Sequence, residues 1–322
     1  MSREDPRTGT RAGGGDGRSS VVLSLLIASV IALANALGVE ASLRLGAGIG
    51  RLWFRLRGPR TRRVAHQLAT AFPERDPLWL RERAGEVFVH LAQGLAEGVL
   101  LAGRHRETLV AALEVEGLEH LEAARAAAGG RGALVVGPHL GNWELGAAKL
   151  TALGIPVAAV YRGPRQPALD RALRRLRGGE GEGGIEHIAM GRRAGVQFVR
   201  SLTGGRNVLA LLDQRARGDE GMLVTFFGRQ ASTRFGPLKL ADRVGAPVLI
   251  AFARRSADRR RHTLTIEPAL QLEPGASDDE EILRRNLQQV TAELERTIRA
   301  NPGQWIWTHR RWREESSETS SG

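Results

Sequence analysis

Cysteine is absent from the 322 residues, which excludes thiol nucleophiles, disulfides, iron–sulfur clusters and thiolate zinc sites. Lysine is nearly absent: Lys149 and Lys239 are the whole complement, so the 47 basic residues that outweigh 35 acidic ones, for a net charge of +12, are almost all arginine. Arginine matches phosphate oxygens with a planar fork, which suits nucleic acid, anionic lipid or a phosphorylated substrate. A composition rich in Arg, Ala and Gly follows equally from a GC-rich genome, so charge alone selects no partner. The eight histidines are dispersed, with no pair at metal-ligand spacing beside a carboxylate, which argues against a metal hydrolase. Scattered arginines argue against a nucleic-acid protein. No internal repeat is visible, and the length suffices to bury a core without covalent staples.

What is present divides the chain into segments. Residues 1–20 are rich in Gly, Ser and Arg without apolar periodicity and read as a disordered basic tail. Residues 21–39, "VVLSLLIASVIALANALGV", contain no charge, close to the ~20 residues a bilayer-spanning helix needs. We expect a membrane anchor over 21–40. Ala32, Ala34 and Ala36 keep a cleavable signal as the alternative. Seven arginines from Arg44 to Arg63 follow the apolar run and four precede it, which leaves the downstream chain in the cytoplasm by the positive-inside rule. Trp53 and Phe54 among those arginines suggest a stretch lying on the membrane surface.

Residues 41–313 read as one domain, followed by a polar tail over 314–322. Asp76 as cap and Pro77 in the first turn open a helical pattern with apolar residues from Leu80 to Val99, in which His90 reads as structural. From Gly132 short apolar runs, "GALVVG", "VAAVYR", "NVLALLD" and "PVLIAFA", alternate with helical patterns over residues 142–153, 167–176, 194–202 and 235–244. A last helix covers 278–300. The alternation predicts an α/β fold, a central mixed sheet flanked by helices.

The stretch "GPHLGNWELGAAKL" places His139 in the loop at the carboxyl end of the strand over 133–136, where α/β sheets carry their sites. Gly141 supplies a turn and Asn142 a helix cap. Glu144, in the first turn, can bend back toward the imidazole: a carboxylate on one ring nitrogen fixes the tautomer and leaves the other to remove a proton. His139 capping the strand end while Glu144 complements the helix dipole is the plainer alternative. Further on, "FFGRQASTRFGP" would gather Gly228, Thr233 and Gly236 around a turn into a helix whose N–H groups suit an anion or oxyanion. Phe226 and Phe227 read as packing. In "QWIWTHRRW", Trp305, Trp307 and Trp312 with Arg310 and Arg311 look interfacial, and His309 structural.

Strand, Gly-Pro-His, Gly-Asn-Trp-Glu and helix, in that order after an anchor, resemble the bacterial lipid A biosynthesis acyltransferases. These are the lauroyl and myristoyl transferases within the glycerolipid acyltransferase superfamily, marked by His, four residues, then Asp or Glu. The likeness continues over residues 160–177, "LLDQ" at 211–214, residues 224–248 and 304–312. The resemblance implies His139 as general base oriented by Glu144, with substrate contacts among Asn142, Arg162, Arg177, Asp213, Gln214, Gly228, Thr233 and Gly236. Arg177 would be an anion contact and Asp213 a site-wall or orienting carboxylate. It further implies an O-acyltransferase that needs no cofactor or metal, taking an acyl thioester of acyl carrier protein, or of coenzyme A, to a hydroxyl of a lipid A precursor. Its partners would be acyl carrier protein, an anionic lipid and the cytoplasmic face of the inner membrane. Another acceptor, such as a lysophospholipid or a mannosylated inositol lipid, is the alternative. The chain departs from the family pattern at "YRGP", where "YRP" is common, and in the glycine-rich residues 178–190.

Overall fold

The computed structural model describes residues 15–161, 163, 170, 184–259 and 261–312, with side chains from residue 25 onward. Helix α1 (Gly15–Arg55) carries the apolar run. It does not stop near residue 40: the helix breaks at Gly38, whose φ of 78° and ψ of 175° are not helical, and resumes to Arg55. Leu25–Arg55 is long and apolar enough to cross a membrane by length and composition, with a window of mean hydropathy 1.8 that is only 6% buried. Its last turns pack on α3 (Pro77–Leu101), after a short α2 (Pro59–Ala71). The reason lies in Gly46 and Gly50: a Cβ at Gly50 would stand 2.5 Å from the Phe88 carbonyl oxygen, so glycine lets the two backbones touch. Trp53 and Phe54, expected at a membrane surface, instead pack on Phe88, with ring centroids at 5.0 and 6.0 Å.

The cap of α3 is as expected. The Asp76 carboxylate accepts from the N–H groups of Leu78 and Trp79 at 2.9 Å, and Pro77 occupies the first turn, where its missing N–H costs nothing. Then follow α4 (Arg106–Ala112), β1 (Leu113–Glu116), α5 (Leu118–Ala127), β2 (Leu134–Gly137), α6 (Trp143–Ala152), β3 (Val157–Tyr161) and β4 (Glu186–Ala189). The remainder comprises α7 (Ala194–Thr203), β5 (Asn207–Leu211), β6 (Gly221–Phe226), β7 (Arg229–Arg234), α8 (Gly236–Arg243), β8 (Val248–Arg255), β9 (His262–Ile266) and α9 (Glu280–Ala300). The expected helix over 167–176 lies outside the described residues.

Seven strands form one sheet in the order β1-β9-β8-β2-β5-β3-β4, parallel throughout except for the antiparallel pair β8–β9. The fold is therefore α/β with a mixed sheet, as the alternation of apolar runs predicts. Central strands read as continuous apolar runs because both faces are covered. Phe198, Leu202, Leu238, Leu287 and Val290 of α7, α8 and α9 cover one face, and Leu109, Leu121, Leu145 and Leu150 of α4, α5 and α6 the other.

A third core is aromatic. Phe72, Phe88, Phe226, Phe227, Trp305, Trp307 and Trp312 cluster between α2, α3 and the β6–β7 hairpin. The three tryptophans are 2%, 0% and 8% exposed, so they are packing and not an interfacial belt. Their N–H groups find internal acceptors: Trp307 donates to the Pro302 carbonyl and Trp312 to that of Phe226. Phe226 and Phe227 pack as expected.

Candidate active site

The carboxyl end of β2 delivers His139, and the neighbouring strand delivers its partner. In the β2–β5 pairing Gly137 lies opposite Leu211. Two residues further along each strand come His139 and Asp213, which the parallel register therefore places side by side. Asp213 Oδ1 accepts from His139 Nδ1 at 2.7 Å, and Oδ2 accepts from the His139 backbone N–H at 2.7 Å. The indole N–H of Trp305 donates to the same Oδ2. Asp213 is 1% exposed, whereas the His139 side chain keeps 20% of its surface open.

Burial alone would raise the Asp213 carboxyl, but the His139 charge, with the hydrogen bonds from His139 and Trp305, outweighs it and holds the group below the usual carboxylate range. An ionised Asp213 can only accept, so Nδ1 of His139 carries the proton and Nε2 presents a lone pair. Among the described residues Nε2 makes no hydrogen bond.

This pairing differs from the expected His139–Glu144 contact. Glu144 stands in the first turn of α6, where its Oε1 accepts from the Trp143 indole at 3.2 Å, while the Trp143 ring meets the imidazole edge-on at 5.2 Å. The cap directs α6 away from the loop: Asn142 Oδ1 accepts from the Leu145 N–H at 2.9 Å. The orienting carboxylate on the ring is thus Asp213, and Glu144 is a neighbour one ring removed. Asn142 caps α6 and is 6% exposed, its Oδ1 and Nδ2 both hydrogen-bonded within the protein.

The loop itself is clamped from both sides. Gly141 adopts φ +65°, and a Cβ there would stand 1.8 Å from the Ala253 carbonyl oxygen, so only glycine fits this crossing over β8. Asn142 N–H donates to that same Ala253 carbonyl at 2.8 Å, Gly141 N–H to the Gln304 carbonyl at 3.1 Å, and Ile306 N–H to the His139 carbonyl at 3.1 Å.

Beneath the loop lies a buried ionic network that the sequence did not reveal. Glu97 of α3, 1% exposed, receives both terminal nitrogens of Arg255 at 2.6 and 2.7 Å, the His262 Nε2 at 2.9 Å and the Asn142 Nδ2 at 2.7 Å. Burial would raise Glu97, yet His262 and Arg255 hold it down at about 2. His90 closes the network: its Nε2 donates to the Gly141 carbonyl at 3.1 Å. Burial, reinforced by the Arg255 charge, lowers its pKa from 6.5 to about 3.

A testable consequence concerns acid. An unfolded His90 takes up a proton below about 6.5 whereas the folded one stays neutral to about 3, so stability from this group falls as pH falls through that window. Glu97 adds a second loss between about 4.5 and about 2. We expect His90→Gln, which can still donate to the Gly141 carbonyl, to flatten the pH dependence of the urea midpoint between pH ~6.5 and ~4.5. An unchanged slope would remove His90 from that role.

The other expected site residues scatter. Gln214 follows Asp213 and is half-buried. Gly228, Thr233 and Gly236 do not share one turn: Gly228 sits at the tip of the β6–β7 hairpin with φ 70°, Thr233 lies near the far end of β7, and Gly236 opens α8. Six residues of extended strand separate tip from helix. Thr233 is fully buried, its hydroxyl accepting from Arg311 at 2.5 Å. Burial lowers the Arg311 guanidinium to about 10 against the opposing charge of Asp213. Arg162 and Arg177 lie outside the described residues.

An apolar cleft of about 90 Å³ runs between α6 and the sheet, lined among others by Gly137 and Pro138, which precede His139, and by Trp143, Glu144, Leu150 and Leu264. The arrangement combines an imidazole whose Nδ1 is held by a buried carboxylate with an apolar cleft that reaches the residues just before it.

A family model described as bacterial lipid A biosynthesis acyltransferase matches residues 19–314. The lipid A biosynthesis lauroyltransferase of Escherichia coli (strain K12) is 28% identical over 273 residues, 84% of each chain. The lipid A biosynthesis acyltransferase of Haemophilus influenzae is 28% identical over 241 residues, 72% of this chain and 70% of that protein. A phosphatidylinositol mannoside acyltransferase of Mycobacterium tuberculosis is 26% identical over 205 residues, covering 64% and 61%.

Proposed function

The chain belongs to the bacterial lipid A biosynthesis acyltransferase family, and from that premise we propose that it moves a fatty acyl group from an acyl carrier protein thioester to a hydroxyl of a lipid A precursor, with His139 as general base. One observation carries the mechanism: Asp213 occupies Nδ1 of His139, leaving the Nε2 lone pair to accept a proton. The acceptor hydroxyl gives its proton to Nε2 as its oxygen attacks the thioester carbonyl. Asp213 stabilises the imidazolium so formed. Collapse of the tetrahedral intermediate breaks the carbon–sulfur bond, and the imidazolium returns the proton to the departing thiolate. No acyl-enzyme is required, in keeping with a chain without cysteine.

The cleft's walls carry apolar side chains and small residues such as Gly146 and Ala147, and at about 90 Å³, below the ~300–1,000 Å³ of ordinary ligand pockets, it supports the reading only as apolar surface near the loop. In this reading Asp213 does the orienting that the family motif suggests for Glu144, and Glu144 sets the charge at the cleft mouth. The apolar N-terminal helix supports a reaction at the inner membrane, and the arginines after it favour the cytoplasmic face.

Mass spectrometry of lipids from cells with and without the gene tests the acceptor. We expect a lipid A species lacking one secondary acyl chain, and purified protein that transfers from the acyl carrier protein thioester faster than from the coenzyme A thioester. Intact lipid A with an altered phospholipid or mannosylated inositol lipid pool would overturn the acceptor; an equal or faster coenzyme A reaction would overturn the donor.

A further inference from the structure

A second recess, of about 370 Å³, opens on the far side of the His139 loop, between α3, the turn after β8 and the segment Ala300–Gln304. It is polar and strongly basic. Arg83, Arg254, Arg255 and Arg259 line it, and Glu86 is the carboxylate among the described residues of its wall. Arg255 is committed to Glu97 and belongs to the network under the catalytic loop.

Arg254 reaches Glu116 at 3.9 Å. Arg83 reaches Glu86 at 3.1 Å and Glu82 at 3.7 Å through one terminal nitrogen, while its Nε is buried without a hydrogen-bond partner. Arg259 is half-buried and makes no ion pair among the described residues. Its charge is disfavoured first by burial and then by Arg255, Arg51 and Arg83, against the attraction of Glu86. Its backbone stands at φ 62°, a left-handed conformation that a non-glycine residue adopts only when its surroundings hold it there. Arg83, through an ion pair, and Arg259, at longer range, thus share the Glu86 carboxylate.

The position of Arg51 connects this recess to the membrane. It follows Gly50, where α1 touches the α3 backbone. About a third of a turn round the helix from that contact, Leu45, Ile49, Leu52 and Leu56 form a stripe at helical spacing, exposed by 52%, 53%, 57% and 71%. A helix with such a stripe lies against acyl chains, and cations on its flank then sit at headgroup depth.

We propose that this recess binds the phosphate of an anionic membrane lipid, with the Arg83 and Arg259 guanidinium groups as its ligands and Arg51 adding to the attractive field. The site is separate from the acyl-transfer cleft, and it stands whether or not the reading of that cleft holds. Guanidinium–phosphate contacts are charge-assisted and often bidentate, which suits the half-buried Arg259, a cation without an ion pair among the described residues.

Full-length protein in a neutral detergent, titrated calorimetrically with dihexanoyl phosphatidylglycerol, tests this directly. We expect saturable binding that weakens at least tenfold in the Arg83→Gln/Arg259→Gln double variant and is unchanged in Arg243→Gln, an exposed arginine on α8. Should the double variant fail to fold, Arg259→Gln alone, in a surface turn, is expected to weaken binding several-fold. Wild-type affinity in the variant that folds would overturn the proposal. Equal binding of dihexanoyl phosphatidylcholine would overturn the reading of net charge, and inorganic phosphate binding as tightly as the lipid would overturn the membrane as the source.

Discussion

His139→Ala is expected to lower turnover by roughly 10²–10⁴, about 3–5 kcal/mol in the barrier at ~1.4 kcal/mol per tenfold, while the far-ultraviolet circular dichroism and membrane recovery stay unchanged. The side chain is partly open and makes its ring hydrogen bond only to Asp213, so little else depends on it. Asp213→Asn is the sharper companion. An amide can offer N–H to Nδ1, which would move the proton to Nε2 and remove the lone pair from the substrate side. We therefore expect Asp213→Asn to cost more turnover than Glu144→Gln, because Asp213 is hydrogen-bonded to the imidazole itself whereas Glu144 accepts from the Trp143 indole beside it. Steady-state kcat of the three purified variants decides it: normal transfer by His139→Ala would end the base assignment, and a greater loss in Glu144→Gln than in Asp213→Asn would return the orienting role to Glu144.

The second large effect concerns stability. Glu97→Ala would leave Arg255 and His262 buried, 3% and 5% exposed, without their shared carboxylate. Removing one member of a buried pair commonly costs about 3–5 kcal/mol, a large share of a typical ~5–15 kcal/mol domain stability. The loss should appear as a shifted denaturant midpoint. It should also reach the active site, because Asn142, which caps α6 next to His139, loses its Nδ2 acceptor. Replacing both partners, Glu97→Leu with Arg255→Met, is expected to recover much of the stability, since apolar pairs of similar volume are often neutral substitutes. A single variant within about 0.5 kcal/mol of wild type would show that the network is not under strain from its own desolvation.

Much of the scaffold was legible locally. The strands at 134–137, 157–161, 207–211 and 248–255 fall on the apolar runs, and Asp76 and Asn142 cap the helices that their residue types announce. The position of His139 at a strand's carboxyl end followed from the same pattern. Its partner did not, because Asp213 is 74 residues away and the two meet only through inter-strand register, a non-local quantity. The signal was nonetheless there: both residues stand just beyond apolar runs of adjacent parallel strands. The tryptophans near the C-terminus were misread for a physical reason. Indole beside arginine suits a membrane interface and suits equally a core in which the N–H finds a carbonyl, and composition does not separate the two. Glu97, Arg255 and His262 carried no motif, since a charged residue within an apolar helix face looks solvated until its partners are known.

Register-borne pairing leaves the intervening chain unusually unconstrained in length. The loops that join α6, β3, β4 and α7 between β2 and β5 can change length without moving the imidazole relative to its carboxylate, provided the two strands keep their alignment. A one-residue slip within either strand would be different, because it would turn the delivered side chain to the other face of the sheet. Diversification of acceptor choice therefore has a natural place in the loops, and the proton-transfer pair a natural protection from it.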